Sequence, residues 1–265
     1  MEQTGQLIRK YAHSRSLMFV WMFFATIVGG VGFFILSLIT HIGKTLHFNG
    51  NISILYAAGY GAIVIAASIV LITIIAIKSQ PVFYVYENAI RSTGKHGDKT
   101  DFFADIEDLF IFLMGGFGYR TSCNSPWIFV GGRISGYGEL TQKFRELHVK
   151  HRGDQLFKEL MEGKTVIFHY ISDEDARSKS NFASRNLNYP TFNIELTQYH
   201  LRIKDSVIPV HRIKDIKSNY WIEKSEIIDV EGNLFHKMHP AAVISFDVLY
   251  DLLARLQEST ANISR

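Results

Sequence analysis

The sequence predicts a membrane hairpin of two transmembrane helices followed by an α+β part, in which antiparallel β modules are each closed by a C-terminal helix. The hairpin is indicated by residues 17–39 and 52–77, two apolar runs without a charged side chain. Residues 82–149 and 191–244 contain short stretches rich in β-branched and aromatic residues, separated by glycine-containing turns, which is typical of strands. Apolar residues at helical spacing follow both regions.

Each apolar run is long enough to cross a bilayer, whose hydrocarbon core of about 30 Å requires roughly 20 helical residues. A cleavable signal is the alternative for the first run, but such signals use only roughly 7–15 apolar residues. The connecting segment 40–51 is short, polar and glycine-containing, which favours a tight turn. Both ends of the hairpin are therefore expected in the same compartment.

Basic residues flank the hairpin on its two outer sides. Arg9, Lys10 and Arg15 precede the first run and Lys78 follows the second, whereas the connecting loop contains Lys44 alone. Positive side chains are retained on the cytoplasmic side during insertion. We therefore expect a multi-pass protein of the bacterial inner membrane with cytoplasmic N- and C-termini.

Neither run contains an ionisable residue that would indicate transport or proton relay. Both contain small residues, which allow close contact between helices. They are Gly29, Gly30, Gly32, Ala58, Ala62 and Ala66. Two interpretations stay open: packing of the hairpin against itself, and self-association into a homo-oligomer.

The remaining residues suggest two β modules. The expected divisions are a cytosolic tail (1–16), the hairpin (17–78), a first module (82–163), a joint (164–190), a second module (191–258) and a C-terminal tail (259–265). Local matches indicate an internal repeat of about a hundred residues, against the alternative of chance similarity between amphipathic strands. The matched segments are 87–91 with 197–202, 106–109 with 213–216, and 156–160 with 249–253.

Several local elements are predicted within these modules. Residues 143–149 are a candidate strand, followed by a helix between Asp154 as N-cap and Gly163 as the residue after its end. In the joint, 165–171 is strand-like and 172–175 has the pattern of a capping box. Ser245 or Asp247 is expected to cap the last helix.

This order of short antiparallel strands closed by one amphipathic helix, with an Ile-x-Asp-Ile strand at 213–216, resembles the pleckstrin-homology-like (PH-like) domains of bacterial membrane proteins. The resemblance covers residues 82–163 and, more fully, 190–257. It implies a bent sheet or partly closed barrel plugged by the helix, and a role in binding rather than chemistry. The glycine-rich stretch 115–138 departs from a compact version of that fold.

Catalytic, metal and cofactor sites are not predicted. The single cysteine, Cys123, excludes an internal disulfide and a cysteine-based zinc site. His148 with His151, and His236 with His239, lie in strand-like stretches where a spacing of three places side chains on opposite faces. No phosphate-binding loop or nucleophile elbow is present. The formal net charge of +3 does not call for a nucleic-acid partner.

A candidate binding surface follows from basic and aromatic residues that are close in sequence. A nucleotide pocket would need convergent Arg or Lys with stacking aromatics, and basic residues near 148–152 could contact lipid phosphates or an acidic partner. The candidates are Tyr119, Arg120, Trp127, Arg133, Lys150 and Arg152.

The pattern as a whole favours a non-enzymatic inner-membrane protein that binds the lipid bilayer and a partner protein. One version is an immunity protein that restrains a membrane-acting toxin. The first alternative is an antiphage-defence effector with two transmembrane helices, which senses a nucleotide messenger and oligomerises to disrupt the membrane. The second alternative is a lipid-sensing scaffold.

Overall fold

A computed structural model describes residues 3–42, 50–94, 97–112, 115–172, 187, 190–219 and 224–263. The chain divides into two compact units. One, the hairpin unit, comprises residues 12–82 and 93–97, and the other, the β unit, comprises 1–11, 83–92 and 98–265.

The hairpin unit contains the two long helices α1 (Ser16–Ile39) and α2 (Ile52–Lys78), at the positions that the sequence predicts. The Asn51 side chain accepts a hydrogen bond of 2.9 Å from the Ser53 amide and so caps the start of α2. Both helices are long and apolar enough to cross a membrane, by length and composition.

Small residues form the contact between α1 and α2. A Cβ atom added at Gly32 would lie 2.7 Å from the Gly59 carbonyl oxygen and 3.0 Å from the Ala62 Cβ, and one added at Gly29 would lie 3.4 Å from the Ala66 Cβ. These residues therefore let the two helices approach closely.

The other predicted small residues lie elsewhere on the helices. Gly30 has no atom within 4 Å of the position that a Cβ would take, and Ala58 is exposed. The six small residues that the sequence analysis groups together are thus divided. Some lie at the contact between α1 and α2, and others lie on the outer surface of the hairpin.

The β unit contains fourteen strands among its described residues, in four antiparallel sheets. The first β module has a four-stranded sheet, β1 (Leu7–Tyr11), β2 (Val82–Tyr86), β3 (Ala89–Gly94) and β4 (Gly97–Phe102), a three-stranded sheet, β5 (Asp108–Ile111), β6 (Gly116–Arg120) and β7 (Ile128–Gly131), and helix α3 (Tyr137–Met161).

The second β module has the same order of elements. Its four-stranded sheet is β8 (Val166–Ile171), β9 (Thr191–Leu196), β10 (His200–Ile203) and β11 (Ser206–Pro209), its three-stranded sheet is β12 (Ile213–Asn219), β13 (Lys224–Asp229) and β14 (Leu234–Met238), and its helix is α4 (Phe246–Ile263).

Corresponding backbone hydrogen bonds also occur in both modules. A 3₁₀ turn follows the fourth strand of each, at Phe103–Asp105 and Val210–Arg212. The amide of Phe103 donates to the Asn88 carbonyl at 2.9 Å, and the amide of Val210 donates to the Tyr199 carbonyl at 2.8 Å. Each acceptor lies in the turn between the second and third strands of its module. These turns belong to segments 87–91 and 197–202, which the sequence analysis matches to each other.

Three boundaries differ from those expected. Residues of the expected N-terminal tail form β1, where Tyr11 pairs with Phe83 across the intervening hairpin. Residues 143–149 are helical, not a strand, because Leu140, Phe144 and Leu147 recur at helical spacing on the buried face of α3. The strand at Val166–Ile171, expected in the joint, pairs with β9 as the first strand of the second module.

The ends of the predicted helices can also be compared. Gly163, at a φ of 81°, follows α3 as expected. Helix α4 continues to Ile263, into the expected C-terminal tail. Of the capping box at 172–175, residues 173–175 lie outside the described residues.

Helix α3 contributes to the cores of both modules. Leu140, Phe144 and Leu147 in its first half belong to the core of the first module. Leu156 and Leu160 in its second half belong to the core of the second, where they join α4 and the sheets. One helix therefore fixes the two modules to each other, and the residues between them form the site described next.

Candidate binding site between the two β modules

A cavity of about 270 Å³ lies between the two modules. Its walls come from β5 and the residue after it, from the middle of α3, and from the segment that joins β14 to α4. The apolar side chains include Leu109, Ile111, Phe112, Val243 and Phe246, and the polar side chains are Arg145, His148, His239, Ser245 and Asp247.

Ser245 holds the start of α4 against β5. Its hydroxyl accepts from the Leu109 amide at 3.0 Å and donates to the Glu107 carbonyl at 3.2 Å. Its own amide donates to the Leu109 carbonyl at 2.8 Å. Ser245 directly precedes α4, as expected, but its side chain bonds to the neighbouring module, and its φ of 58° is uncommon for a residue other than glycine.

An ion pair joins the two helices beside the cavity. The Arg145 guanidinium on α3 donates two hydrogen bonds to the Asp247 carboxylate in the first turn of α4, at 2.7 Å and 2.6 Å. This paired geometry is the strong form of an Arg–carboxylate contact. The two charges neutralise each other at this wall.

His148 is the fully buried ionisable residue of this cavity. Its Nε2 lies 3.0 Å from the Ile106 carbonyl oxygen, which can only accept, so Nε2 carries the proton. The Nδ1 atom is then a lone-pair acceptor, and it has no hydrogen-bond partner among the described residues. Burial lowers the pKa of His148 from 6.5 to about 4, so the ring is neutral at pH 7.

The third wall is ordered by a hydrogen bond within it and is joined to β8 of the second module by a backbone bridge. The buried His239 accepts a hydrogen bond from the Ala241 amide at its Nδ1 (3.1 Å), which begins the 3₁₀ turn Pro240–Ala242. Further along, Val243 forms an isolated bridge with Tyr170 of β8. The cavity wall is therefore part of the folded module rather than a free loop.

The polar side chains of the site are largely engaged in structural contacts. Ser245 uses its hydroxyl as both donor and acceptor in structural bonds. Within the described ranges, no group of three or more His, Cys, Asp or Glu residues could hold a metal ion. The site therefore presents apolar surface beside an ion pair whose charges are already neutralised.

The first predicted histidine pair lies on α3 rather than on a strand. His148 bonds to Ile106, and His151 has its Nε2 2.9 Å from the Glu87 carbonyl oxygen. The second pair lies in β14 and just after it, where His239 belongs to the cavity wall.

Tyr119 corrects the predicted binding surface. The side chain lies fully inside the core of the first module, and its hydroxyl donates to the buried Asp101 carboxylate at 3.0 Å. Burial also raises the pKa of Tyr119 well above its ordinary value. A side chain in this position does not contribute to an exposed surface.

Two of the predicted surface residues do come together. The Arg120 guanidinium lies over the Trp127 ring, 4.8 Å from its centroid. Arg120 is also bound to the Asp108 carboxylate at 2.5 Å and to the Cys123 carbonyl at 2.7 Å. The arginine is therefore engaged in holding the three-stranded sheet of the first module.

The other three predicted residues are dispersed. Arg133 is exposed after β7, and Lys150 is exposed on α3. Arg152 is partly buried and lies 3.5 Å from the Ala104 carbonyl oxygen. The basic cluster expected at 148–152 is not a continuous surface, because His148 is buried and His151 and Arg152 contact the first module.

The basic residues expected to flank the membrane lie in both units. Arg9 on β1 forms an ion pair of 2.5 Å with Glu139. Lys10 is on the same strand. Arg15 directly precedes α1, and Lys78 is in the last turn of α2.

Sequence reasoning missed the cavity, since its walls come from three separate segments and two of them, residues 109–112 and 239–247, are more than a hundred residues apart in the chain. One signal was present: the spacing of Leu140, Phe144 and Leu147 indicates a helix, which would have placed Arg145 and His148 on it. A scan against protein-family models finds no match for this chain, and no curated protein matches it.

Proposed function

We propose that this chain is a membrane-anchored, non-enzymatic binding protein. In this proposal the hairpin lies in a bacterial inner membrane, and the β unit, composed of two PH-like modules, binds a partner protein on the cytoplasmic side. The observation that carries the proposal is the exposed apolar surface of α1 and α2, whose apolar runs contain no charged side chain.

The exposure of the two helices argues for lipid around them. Only 17% and 11% of the most apolar windows of α1 and α2 are buried, and Phe33 is 72% and Ile54 65% exposed. A core helix of a water-soluble protein would bury such side chains. The hydroxyls of Thr26, Ser68 and Thr73 donate to carbonyls one turn earlier, which suits an apolar solvent.

The pairing of β1 with β2 supports a common side for both ends of the hairpin. Tyr11 and Phe83 are direct partners, so the chain leaves the β unit and returns to it at adjacent positions. Two crossings satisfy this arrangement. The basic residues Arg15 and Lys78 at the helix ends favour the cytoplasm as that side.

The repeated order of a four-stranded sheet, a three-stranded sheet and a helix supports PH-like modules. The cavity between them provides apolar surface with a few polar groups at its edge, which is a feature of recognition sites. Restraint of a membrane-acting toxin remains our specific version of this role. A nucleotide-sensing effector and a lipid-sensing scaffold are the outcomes that the following experiments distinguish from it.

Fractionation tests the anchor. The full chain with a C-terminal tag should sediment with bacterial membranes after alkaline carbonate washing, because two spans hold it in the bilayer. Protease added to spheroplasts should leave the tag intact. Recovery in the soluble fraction, or loss of the tag from intact spheroplasts, would overturn the proposal.

Purification in detergent tests the partner class. We expect a co-purifying protein in fixed ratio to the chain when both are expressed from the native genetic context. A nucleotide released on denaturation instead would favour the effector, and a single enriched phospholipid would favour the scaffold.

Two glycine substitutions test whether the hairpins associate. Gly30→Leu adds a side chain at a position where no atom lies within 4 Å of the added Cβ, so the contact between α1 and α2 should stay intact. Gly32→Leu places a side chain against the Gly59 carbonyl, so it disturbs the hairpin itself. A growth defect caused by expression and abolished by Gly30→Leu would indicate an oligomeric effector rather than a binding protein.

A further inference from the structure

We propose that Tyr56 and Tyr60 hold the turn end of the hairpin in the outer headgroup layer of the bilayer, where their hydroxyls donate to phosphate or ester oxygens of phospholipids. The turn end is the end of the hairpin at Ile39 and Ile52. This inference rests on the proposed membrane anchor, and adds the depth of the hairpin and the chemistry of its outer contact.

The two tyrosines form one outward-facing pair near the start of α2. Their rings are stacked, with centroids 6.2 Å apart and an angle of 14° between the planes. Tyr56 is 44% exposed and Tyr60 is 58% exposed, so α1 covers neither ring. Among the described residues neither hydroxyl has a hydrogen-bond partner.

These free hydroxyls constrain the depth of the pair. A hydroxyl that leaves water for an apolar medium loses its hydrogen bonds, and hydrocarbon offers no replacement. Phosphate and ester oxygens in the headgroup layer are acceptors for such a donor. Rings with one polar end are also favoured at this boundary. The pair therefore belongs at the headgroup layer and not in the middle of the bilayer.

The direction of α2 carries both hydroxyls toward that layer. Side chains on a helix lean toward its N-terminus, and the N-terminus of α2 is at the turn end. The Tyr60 ring thus extends outward from its own Cα toward Tyr56. Both hydroxyls can reach the same layer although their residues are one turn apart.

The register of the two helices locates the boundary independently. Gly29 lies against Ala66, and Gly32 lies against Gly59. Following this antiparallel register outward brings Thr40, the polar residue that ends α1, level with the first turn of α2. The outer limit of the apolar surface of α1 is therefore just outward of the two tyrosines.

The length of the helices agrees with this boundary. The apolar run 17–39 of α1 is about 34 Å long at 1.5 Å per residue, close to the hydrocarbon core of about 30 Å. The apolar run of α2 begins further out, at Ile52, and Ile54 in its first turn is 65% exposed. We therefore expect Ile54 at the level of the headgroups.

Fluorine NMR of the full chain in phospholipid nanodiscs tests the position of the rings. The chain is labelled with fluorotyrosine, and the two signals are assigned by their loss in Tyr56→Phe and Tyr60→Phe. A lipid with a nitroxide close to its headgroup should broaden both signals more than a lipid with the nitroxide at its chain end. Tyr119, buried in the β unit, is the control and should respond to neither lipid.

Cysteine labelling tests the role of the hydroxyls. In a Cys123→Ser chain, Ile54→Cys should react with a membrane-impermeant maleimide added to spheroplasts. Ile65→Cys, at an exposed position in the middle of α2, is the control and should not react. Replacing both tyrosines by phenylalanine should slow the reaction of Ile54→Cys several-fold, because the turn end is then free to move inward.

Stronger broadening by the lipid labelled at its chain end, no reaction of Ile54→Cys, or a reaction rate unaffected by the two phenylalanines would overturn the inference and leave the hairpin in the membrane. Broadening by neither lipid nor a water-soluble gadolinium chelate would place the rings between copies of the chain and also overturn it. Broadening by the gadolinium chelate alone, with reaction of Ile65→Cys, would instead overturn the membrane anchor and hence the proposed function.

Discussion

The two β modules have the same order of strands and helix, but differ in what connects their first two strands. In the first module, residues 12–81 lie between β1 and β2 and include both long helices. In the second, residues 172–190 connect β8 and β9. The flanking residues pair directly in each case, Tyr11 with Phe83 and Ile171 with Thr191. The connection between the first two strands of a module can therefore be long or short while the pairing of those strands stays the same.

The cores of the modules are filled differently on this common framework. In the first, Phe144 of α3 contacts Phe103, Phe117 and Tyr119 with ring centroids 4.6–5.2 Å apart. In the second, α4 contributes aliphatic residues, including the fully buried Leu252. The sheets can thus be repeated while the residues that fill them diverge, which explains why the sequence matches are short.

The largest effect is expected at the centre of the aromatic core. Phe144→Ala removes a ring that contacts three others and should lower the free energy of unfolding by about 3–5 kcal/mol. Leu252→Ala in the second module should cost about 2–5 kcal/mol by the same mechanism. Urea unfolding of the full chain in detergent, followed by circular dichroism, measures both.

A comparison of these two variants also tests the shared helix. Because α3 contributes to both cores, Phe144→Ala should lower the midpoint of every transition of the β unit. If it left the second module unchanged, the modules would be energetically independent. Tyr250→Ala, at an exposed position, is the control and should have little effect.

The second effect is a pH dependence of the free energy of unfolding, caused by a residue packed against the first module. Burial holds the pKa of His148 at about 4 in the folded chain, below its ordinary value of 6.5. Between these values the unfolded chain binds a proton that the folded chain does not, so stability falls as the pH decreases from about 6.5 to about 4. The loss is up to about 3 kcal/mol.

Unfolding curves at several pH values measure this loss. His148→Gln removes the titrating ring and should flatten the curve in that window. Arg152, which disfavours the protonated ring, and Asp247, which favours it, are the nearby charges. An identical pH dependence in His148→Gln would show that other groups cause it.

The smallest effect concerns the ion pair between the modules. Arg145→Ala should cost about 1 kcal/mol, because the pair with Asp247 is bidentate but partly exposed to solvent. Lys143→Ala, which breaks an exposed pair with Glu146 on the same helix, is the control and should give no measurable change. A larger cost for Lys143→Ala would contradict the role of Arg145 in joining the modules.

The sequence predicts well what depends on neighbouring residues. The two long helices and most strands follow from apolar runs, alternation and turn residues near each element. The predicted start of helix α3 is too late in the sequence, because the glycines up to Gly138 indicate another turn. In the structure Gly136 has a φ of 74° and directly precedes the helix. The left-handed conformation of Gly136 therefore precedes a helix and not a turn between two strands.

What depends on distant residues could not be predicted. Strand β1 is five residues long with two basic side chains, and its partner lies beyond the hairpin. The cavity joins Leu109, His148 and Val243, which no local spacing relates. The burial of Tyr119 likewise follows from packing against α3 and not from its neighbours in sequence.

The pairing of Tyr11 with Phe83 has a consequence for biogenesis. The ribosome synthesises β1 before either long helix and its partner strand β2 after both. The sheet can therefore close only after residues 12–81 have been synthesised, and a polypeptide that starts just after α2 lacks β1, which is an edge strand of the sheet.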